Sequence, residues 1–433
     1  MELPALIFTI VAGWLLFRLP KQWAPMPLLA GTIYMTLGQT VDVGPFHFSV
    51  LRILVALGVI RVLVKHERLS GGWNPLDKVM LAWGAWALVS SGFHKDVAST
   101  LVSHLGLAYN ALGLYFLLRV FISGAEGVWS VARILLILLV PVALEMVLER
   151  LTGRNRFSVF GGVEEMCEVR GGKIRANGPF LHSILAGTVG AVCLPLAVLF
   201  WHRNRKLCLL GVLATGLIVV SSSSSGPILT MLFVSIALAF WRFRERMRLV
   251  RWVALLSVLA LNMVMSAPVY YLLGRIDLTG NSTGFYRAAL IESTAKHFNE
   301  WWLGGTDYTR HWMASGVPWS PDQADITNYY IRMGVDGGLP LMLLFIYILV
   351  VAFRLVGTAL SNSQGQPFEQ QFMIWTLGAI LFGHAATWMS VSYFDQTVVF
   401  LYLILAAIGA VSALPFQAAE VVAEPAGRMD FAQ

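Results

Sequence analysis

Residues 179–201 read PFLHSILAGTVGAVCLPLAVLFW, a run without a single Asp, Glu, Lys or Arg. A helix of about 20 apolar residues crosses a hydrocarbon core roughly 30 Å thick. Working outward, EVRGGKIRANG at 168–178 precedes the run and HRNRK at 202–206 follows it, so charge brackets the span on both sides. Comparable runs recur along the chain, near 3–17, 25–40, 48–64, 76–93, 100–122, 129–149, 207–221, 224–241, 252–273, 338–360, 371–391 and 396–414. Only 13% of the 433 residues are charged; a soluble globular chain carries about 25%. Mean hydropathy is +0.69. Strands of a transmembrane barrel alternate and would not give solid apolar runs. The chain predicts an all-α, polytopic transmembrane helical bundle of about 12–13 spans, a single integral membrane domain over 1–433. MELPALIFTIVAGWLLF lacks a basic leader and reads as the first span.

Short basic loops set the expected orientation. HRNRK and RFRERMRLVR (242–251) hold the densest Lys/Arg clusters, and RLPKQW (18–23) and KHER (65–68) fall on the same side if spans alternate. These ends are expected to be cytoplasmic. The loop 150–178 and the segment 275–337 then face outward, and the tail 415–433 lies inside. The net charge of +7 fits cytoplasmic loops beside anionic lipid, with no nucleic-acid partner. Arg170, Lys173, Arg175, Arg275, Arg287, Lys296, Arg310 and Arg332 sit on the side where cations are disfavoured, so orientation alone does not account for them.

The outward segment carries the chemistry. Ser282 or Thr283 can cap a helix over roughly 284–298, with Arg287 in its first turn. A cation there opposes the helix dipole unless an anion docks beside it; the alternative is a local pair with Glu292 or another carboxylate. Trp301, Trp302, Tyr308, Trp312 and Trp319 follow, interleaved with Asp307, His311, Asp322 and Asp325. Aromatic faces beside polar groups suit sugar rings, and Trp302, Tyr308, Trp312, Asn328 and Tyr329 are the candidate glycan contacts. An interfacial aromatic belt is the alternative. SSSSSG at 221–226 reads as a helix-hairpin tip or a close helix contact. His182, His297 and His384 are functional candidates or hydrogen-bonded structural histidines. The three cysteines, Cys167, Cys193 and Cys208, show no metal-ligand spacing. No GxSxG, HExxH, P-loop or DxD is present, so neither a resident metal nor a cofactor is expected.

Three stretches resemble the O-antigen ligase and polymerase superfamily. RANGPFLHSILAGTVGA (175–191) is similar to its R-x-x-G-P-F-x-H lead into a mid-chain span. GFYRAALIESTAKHFNEWWLGG (284–305) is similar to its arginine, helix, aromatic and glycine-pair pattern, and TNYYIRMGVDGGLPLMLLF (327–345) to the close of its outer loop. The resemblance implies a GT-C-type glycosyltransferase of the bacterial inner membrane, working on the periplasmic side without metal or nucleotide sugar. Its implied partners are an undecaprenyl-diphosphate-linked oligosaccharide, membrane lipid and a chain-length regulator. Carried over by position, Arg175 and Arg287 hold the diphosphate; Arg170, Arg275 and Arg310 are added as supports from their location alone. Two departures matter. The family's S-x-S-R-G stands here with Ser225 in place of Arg. A His–Asn pair in the ligases is Thr327–Asn328 here, which favours a polymerase over a ligase.

The expected reaction is inverting transfer, with Asp325 or His311 as general base. A transporter or flippase of lipid-linked saccharide is the alternative from another class; it would place ionisable groups near the midplane, often within inverted repeats.

Overall fold

Helices of similar apolar content meet very different surroundings in the computed structural model, which describes residues 1–272, 284–313, 316 and 318–412. Arg275, the Ser282/Thr283 cap and the tail 415–433 lie outside the described residues. The protein is 73% helical, with several long apolar helices that could span a membrane. The first half runs α1 (Leu3–Arg18), α2 (Pro25–Tyr34), a hairpin of β1 (Thr40–Val43) and β2 (Phe46–Ser49), then α3 (Val50–Val64), α4 (Pro75–Ser90), α5 (Val97–Phe121) and α6 (Gly124–Thr152). A second hairpin, β3 (Glu168–Arg170) and β4 (Lys173–Arg175), leads into α7 (Ser183–Leu199), α8 (Arg205–Ser221), α9 (Ser225–Ala239) and α10 (Met247–Val264). The outer segment contains α11 (Gly284–Lys296), and α12 (Tyr329–Asn362), α13 (Phe368–Thr387) and α14 (Val398–Ser412) complete the bundle.

By length and composition, 97–121, 124–152, 225–264 and 329–362 can each cross a membrane, and α1, α7 and α14 are shorter apolar helices. α14 is apolar on every face, and every residue from Val399 to Val411 is buried. Such a helix belongs at the centre of a bundle. α10 contains no buried residue at all, which places it at the periphery. The expected basic loop 242–251 is also mostly helical: a 3₁₀ segment, Phe240–Arg246, joins α9 to α10. The two hairpins were not expected from the apolar pattern.

Two buried charges far from the hairpins pin the bundle. Arg119 and Asp77 are fully buried with Nε and Oδ1 3.2 Å apart. Tyr115 donates to the same carboxylate at 2.6 Å, and Arg119 also donates to the carbonyls of Ser70 and Gly72. Asp77 closes a capping box with Asn74 at the start of α4, so the ion pair is attached to a helix cap. Each guanidinium nitrogen of Arg119 and each carboxylate oxygen of Asp77 has a partner, and an ion pair so supported is tolerated in an apolar interior.

The basic loops and the outer elements gather at opposite ends. Lys21 donates to Arg68 O, Lys65 to Phe17 O, and His202 and Trp241 both meet Phe368 edge-on. At the other end, Ala176 N–H donates to Ser221 O and Tyr329 N–H to Trp388 O. There α12 is broken at Gly337 and Gly338, whose backbones are not helical. Leu339 N–H donates to Trp302 O and Thr306 N–H to Val335 O, so the outer segment is stitched into the break.

Candidate functional site

Gly171 and Gly172 both take positive φ, 56° and 73°, which closes β3 and β4 with a two-residue turn. The register pairs Glu168 with Arg175 and Arg170 with Lys173. Strand side chains alternate, so these four charged groups share one face of the ribbon and Val169 and Ile174 take the other. Three cations on one face leave two unbalanced by Glu168. Arg175 is only 4% exposed. Its Nη1 donates to Glu168 Oε2 at 2.6 Å and its Nη2 to Ser224 Oγ at 2.8 Å. Its Nε is buried without a partner. Burial pushes the guanidinium pKa down, and Glu168 opposes that.

The serine run is a hairpin tip, between α8 and α9, and it also holds the ribbon. Ser223 Oγ donates to Ile174 O at 2.9 Å, and Ser224 Oγ lies 3.4 Å from Ser183 Oγ at the start of α7. The N-termini of α7 and α9 therefore adjoin beside Arg175, and each contributes a positive dipole end. His182 caps α7, its Nδ1 accepting from Ile184 N–H at 3.1 Å. Burial, and then the Arg175 charge, push this imidazole down to about 4, so it is neutral at pH 7 and free to accept. Below the ribbon, Glu149 accepts the N–H groups of Asn177 and Gly178, each at 2.8 Å. Asp395 accepts Leu181 N–H at 3.1 Å, and Gln396 donates to Pro179 O at 2.8 Å. Sequence reasoning missed these supports. The only signal was a polar DQT triplet, 395–397, ahead of the last apolar run.

Arg287 occupies the first turn of α11 as expected. Glu292 is not its partner: that carboxylate takes Lys296 at 2.6 Å and the Tyr271 hydroxyl. Arg287 makes no hydrogen bond or ion pair among the described residues, and its Nε is buried. Burial pushes its pKa down; Asp325 opposes the shift and Arg170 adds to it. Asp325 in turn is pushed up by burial and held back by Arg287 and Arg332. Arg170 also acts on Arg175 and His182. One electrostatic neighbourhood thus contains Arg170, Arg175, Arg287, Arg332, His182 and Asp325. Tyr286 fixes the Asp325 backbone, donating to its carbonyl at 2.8 Å. Thr327 Oγ1, two residues on, is buried without a partner.

The other expected residues make contacts of their own. His311 Nε2 faces Glu300 Oε2 at 2.9 Å, and Glu300 also accepts from Trp312 Nε1 at 2.9 Å. Arg310 donates to the carbonyls of Met313 and Gly316 at 2.9 and 3.0 Å, holding its own turn together. Trp302 and Tyr308 are 46% and 42% exposed, with one face of the Tyr308 ring stacked on His311. Trp312, Asn328 and Tyr329 are buried, which corrects the sequence expectation. Trp312 is buried in the small apolar core of the outer segment. Asn328 caps α12 through Oδ1 and donates to Met389 O at 3.2 Å. Tyr329 is buried against Phe345, Trp388 and Tyr393. His384 is structural, 2.9 Å from the Tyr393 hydroxyl. His297, Glu300 and His311 have ligand atoms within 4.8 Å of one another, a grouping that no spacing in the sequence announces.

The family profile described as O-Antigen ligase (Wzy_C) matches residues 209–346. The match contains Ser224, Arg287, Asp325 and Thr327; the β3–β4 ribbon and α7 lie upstream, outside it. No curated protein matches the chain. The chain therefore carries an O-antigen ligase family domain over residues 209–346, of a bacterial membrane family whose activity is polysaccharide linking of the ligase or polymerase type.

Proposed function

We propose that the protein is an O-antigen or exopolysaccharide polymerase, moving a growing glycan from undecaprenyl diphosphate to a lipid-linked repeat unit on the periplasmic face. The observation that carries this reading is Arg287, a guanidinium with a buried Nε and no hydrogen bond or ion pair among the described residues, within electrostatic reach of Arg170, which also acts on Arg175. A buried guanidinium without a hydrogen-bonded acceptor is costly, and Asp325 offsets that cost only through space, so the arrangement suits an incoming anion. A diphosphate supplies one. Arg170, Arg175 and Arg287, with the N-termini of α7 and α9, stabilise it as it departs and gains negative charge. The acceptor hydroxyl forms the new bond to the anomeric carbon as the carbon–phosphate oxygen bond breaks on the opposite face. Asp325 takes the hydroxyl proton; its burial-raised pKa makes it the better base. His311, engaged by Glu300, stands apart.

Support for a polymerase over a ligase comes from Thr327, which cannot accept a proton at neutral pH as the histidine of the resembling ligases can. Purified protein given only lipid-linked repeat units is expected to build a ladder of longer lipid-linked glycans, resolved by gel. A protein that builds no ladder but caps a lipid A core with preformed polymer is a ligase.

The periplasmic placement has its own test. Native Cys167 is a poor reporter, because burial and then Glu149 push its thiol up to about 12 and the thiolate is the reacting form. Val169, 64% exposed on the apolar face of the ribbon, is the better position. Val169→Cys is expected to react with an impermeant maleimide on intact spheroplasts. Labelling only after permeabilisation would overturn the orientation.

A further inference from the structure

We propose that His297, Glu300 and His311 bind a divalent cation of the zinc class, which locks the outer segment from a position apart from the diphosphate-binding arginines. Their ligand atoms all lie within 4.8 Å of one another. His297 follows the last turn of α11, and its Nδ1–H donates to Ser293 O at 2.8 Å. That bond fixes the tautomer and leaves the Nε2 lone pair outward, the arrangement common to metal-bound histidines. Glu300 lies one turn on, in the short helix Phe298–Trp301. Its Oε2 accepts from Trp312 Nε1 at 2.9 Å, which orients the carboxylate from behind. His311 Nε2 already faces that carboxylate at 2.9 Å.

The rings are held as well as the ligand atoms. His297 stacks on Trp312 with centroids 5.8 Å apart, and His311 stacks on Tyr308 at 4.9 Å. The two imidazoles meet edge to face at 4.9 Å. Two imidazoles and one carboxylate are a borderline donor set, suited to zinc and its later first-row neighbours; magnesium and calcium demand oxygen throughout. Glu300 and His311 are partly exposed, so water can complete a tetrahedron. Binding replaces the His311–Glu300 hydrogen bond with two metal bonds; a neutral His311 moves its proton from Nε2 to Nδ1, whereas an imidazolium gives its Nε2 proton to solvent. The consequence is a cross-link between the end of α11, whose first turn carries Arg287, and the 308–312 turn. The cation takes no part in glycan transfer.

The test uses the full chain in detergent, stripped with chelator and titrated with ZnCl2 or MgCl2. Competition against a chromophoric chelator should return one zinc per chain and no competition from magnesium. Zinc should also raise the thermal unfolding midpoint. His297→Gln, Glu300→Gln and His311→Gln should each weaken zinc binding by at least roughly tenfold and abolish the thermal shift. Gel filtration and circular dichroism on the stripped variants confirm that each is folded; a variant that fails there is read through the other two. Absence of zinc binding to the parent protein, or binding unchanged in the folded variants, overturns the proposal.

Discussion

Arg287→Lys is expected to slow glycan transfer at least a hundredfold while the protein still inserts and accumulates normally. Among the described residues no carboxylate forms an ion pair with this guanidinium and its Nε is buried without an acceptor, while Asp325 acts on it through space. Replacing it therefore removes no described contact. Lysine keeps the charge and loses the planar fork that grips two phosphate oxygens at once. Removing one donor aimed at developing charge typically costs about 3–4 kcal/mol, which corresponds to roughly 10²–10³ in rate. Transfer of labelled lipid-linked glycan by purified variant and parent, at matched protein levels, reads the effect. Near-normal turnover would make Arg287 a structural cation and remove the main support for the diphosphate reading. Arg175→Lys is a less clean comparison, because it also breaks the bond to Ser224 that ties the ribbon to the α8–α9 turn.

Gly338→Ala is expected to be the most destructive single methyl group in the outer half of the protein. Gly338 holds φ 75° and ψ −178°, a conformation that is essentially restricted to glycine. A Cβ there would also run into Leu303 O and lie 2.8 Å from Gly304 N, both backbone atoms that no rotamer change can move aside. Strain of this kind costs on the order of 1–3 kcal/mol before the clash is added. Gly365→Ala is the matched control. Its φ is 89°, but nothing lies within 4 Å of the added atom. The expected result is a large loss of monodisperse protein and of thermal stability for Gly338→Ala, with a small loss for Gly365→Ala. Equal behaviour of the two would show that the outer segment does not depend on the break in α12.

The helix inside the apolar run 179–201 was legible because a membrane leaves the backbone few choices, although it covers only Ser183–Leu199. Its neighbours in the fold were not legible. α10 and α14 are both apolar, yet one has no buried residue and the other is almost wholly enclosed, because lipid and protein interior select the same side chains. Arg287 could be read from its place in a helix's first turn, where a bare cation asks for an explanation. Trp312, Asn328 and Tyr329 were misread because an aromatic ring or an amide serves a core or a cap as readily as a sugar. The β3–β4 ribbon did leave a signal, a Gly-Gly pair between Val169-Arg170 and Lys173-Ile174. His297, Glu300 and His311 left none, since 14 positions and a change of direction separate the two histidines.

The ribbon has a consequence for how the chain tolerates change. Arg170, Lys173 and Arg175 share a face only because an even step separates each strand's charges and a two-residue turn sets their pairing. Exchanging one of these cations for another alters the strength of the charged face and leaves its direction intact. Inserting or deleting one residue between Lys173 and Arg175 sends the arginine to the side now held by Val169 and Ile174, and both Glu168 and Ser224 lose it. Length, more than spelling, is therefore what this segment must keep, and single-residue insertions and deletions here should be far less forgiving than substitutions.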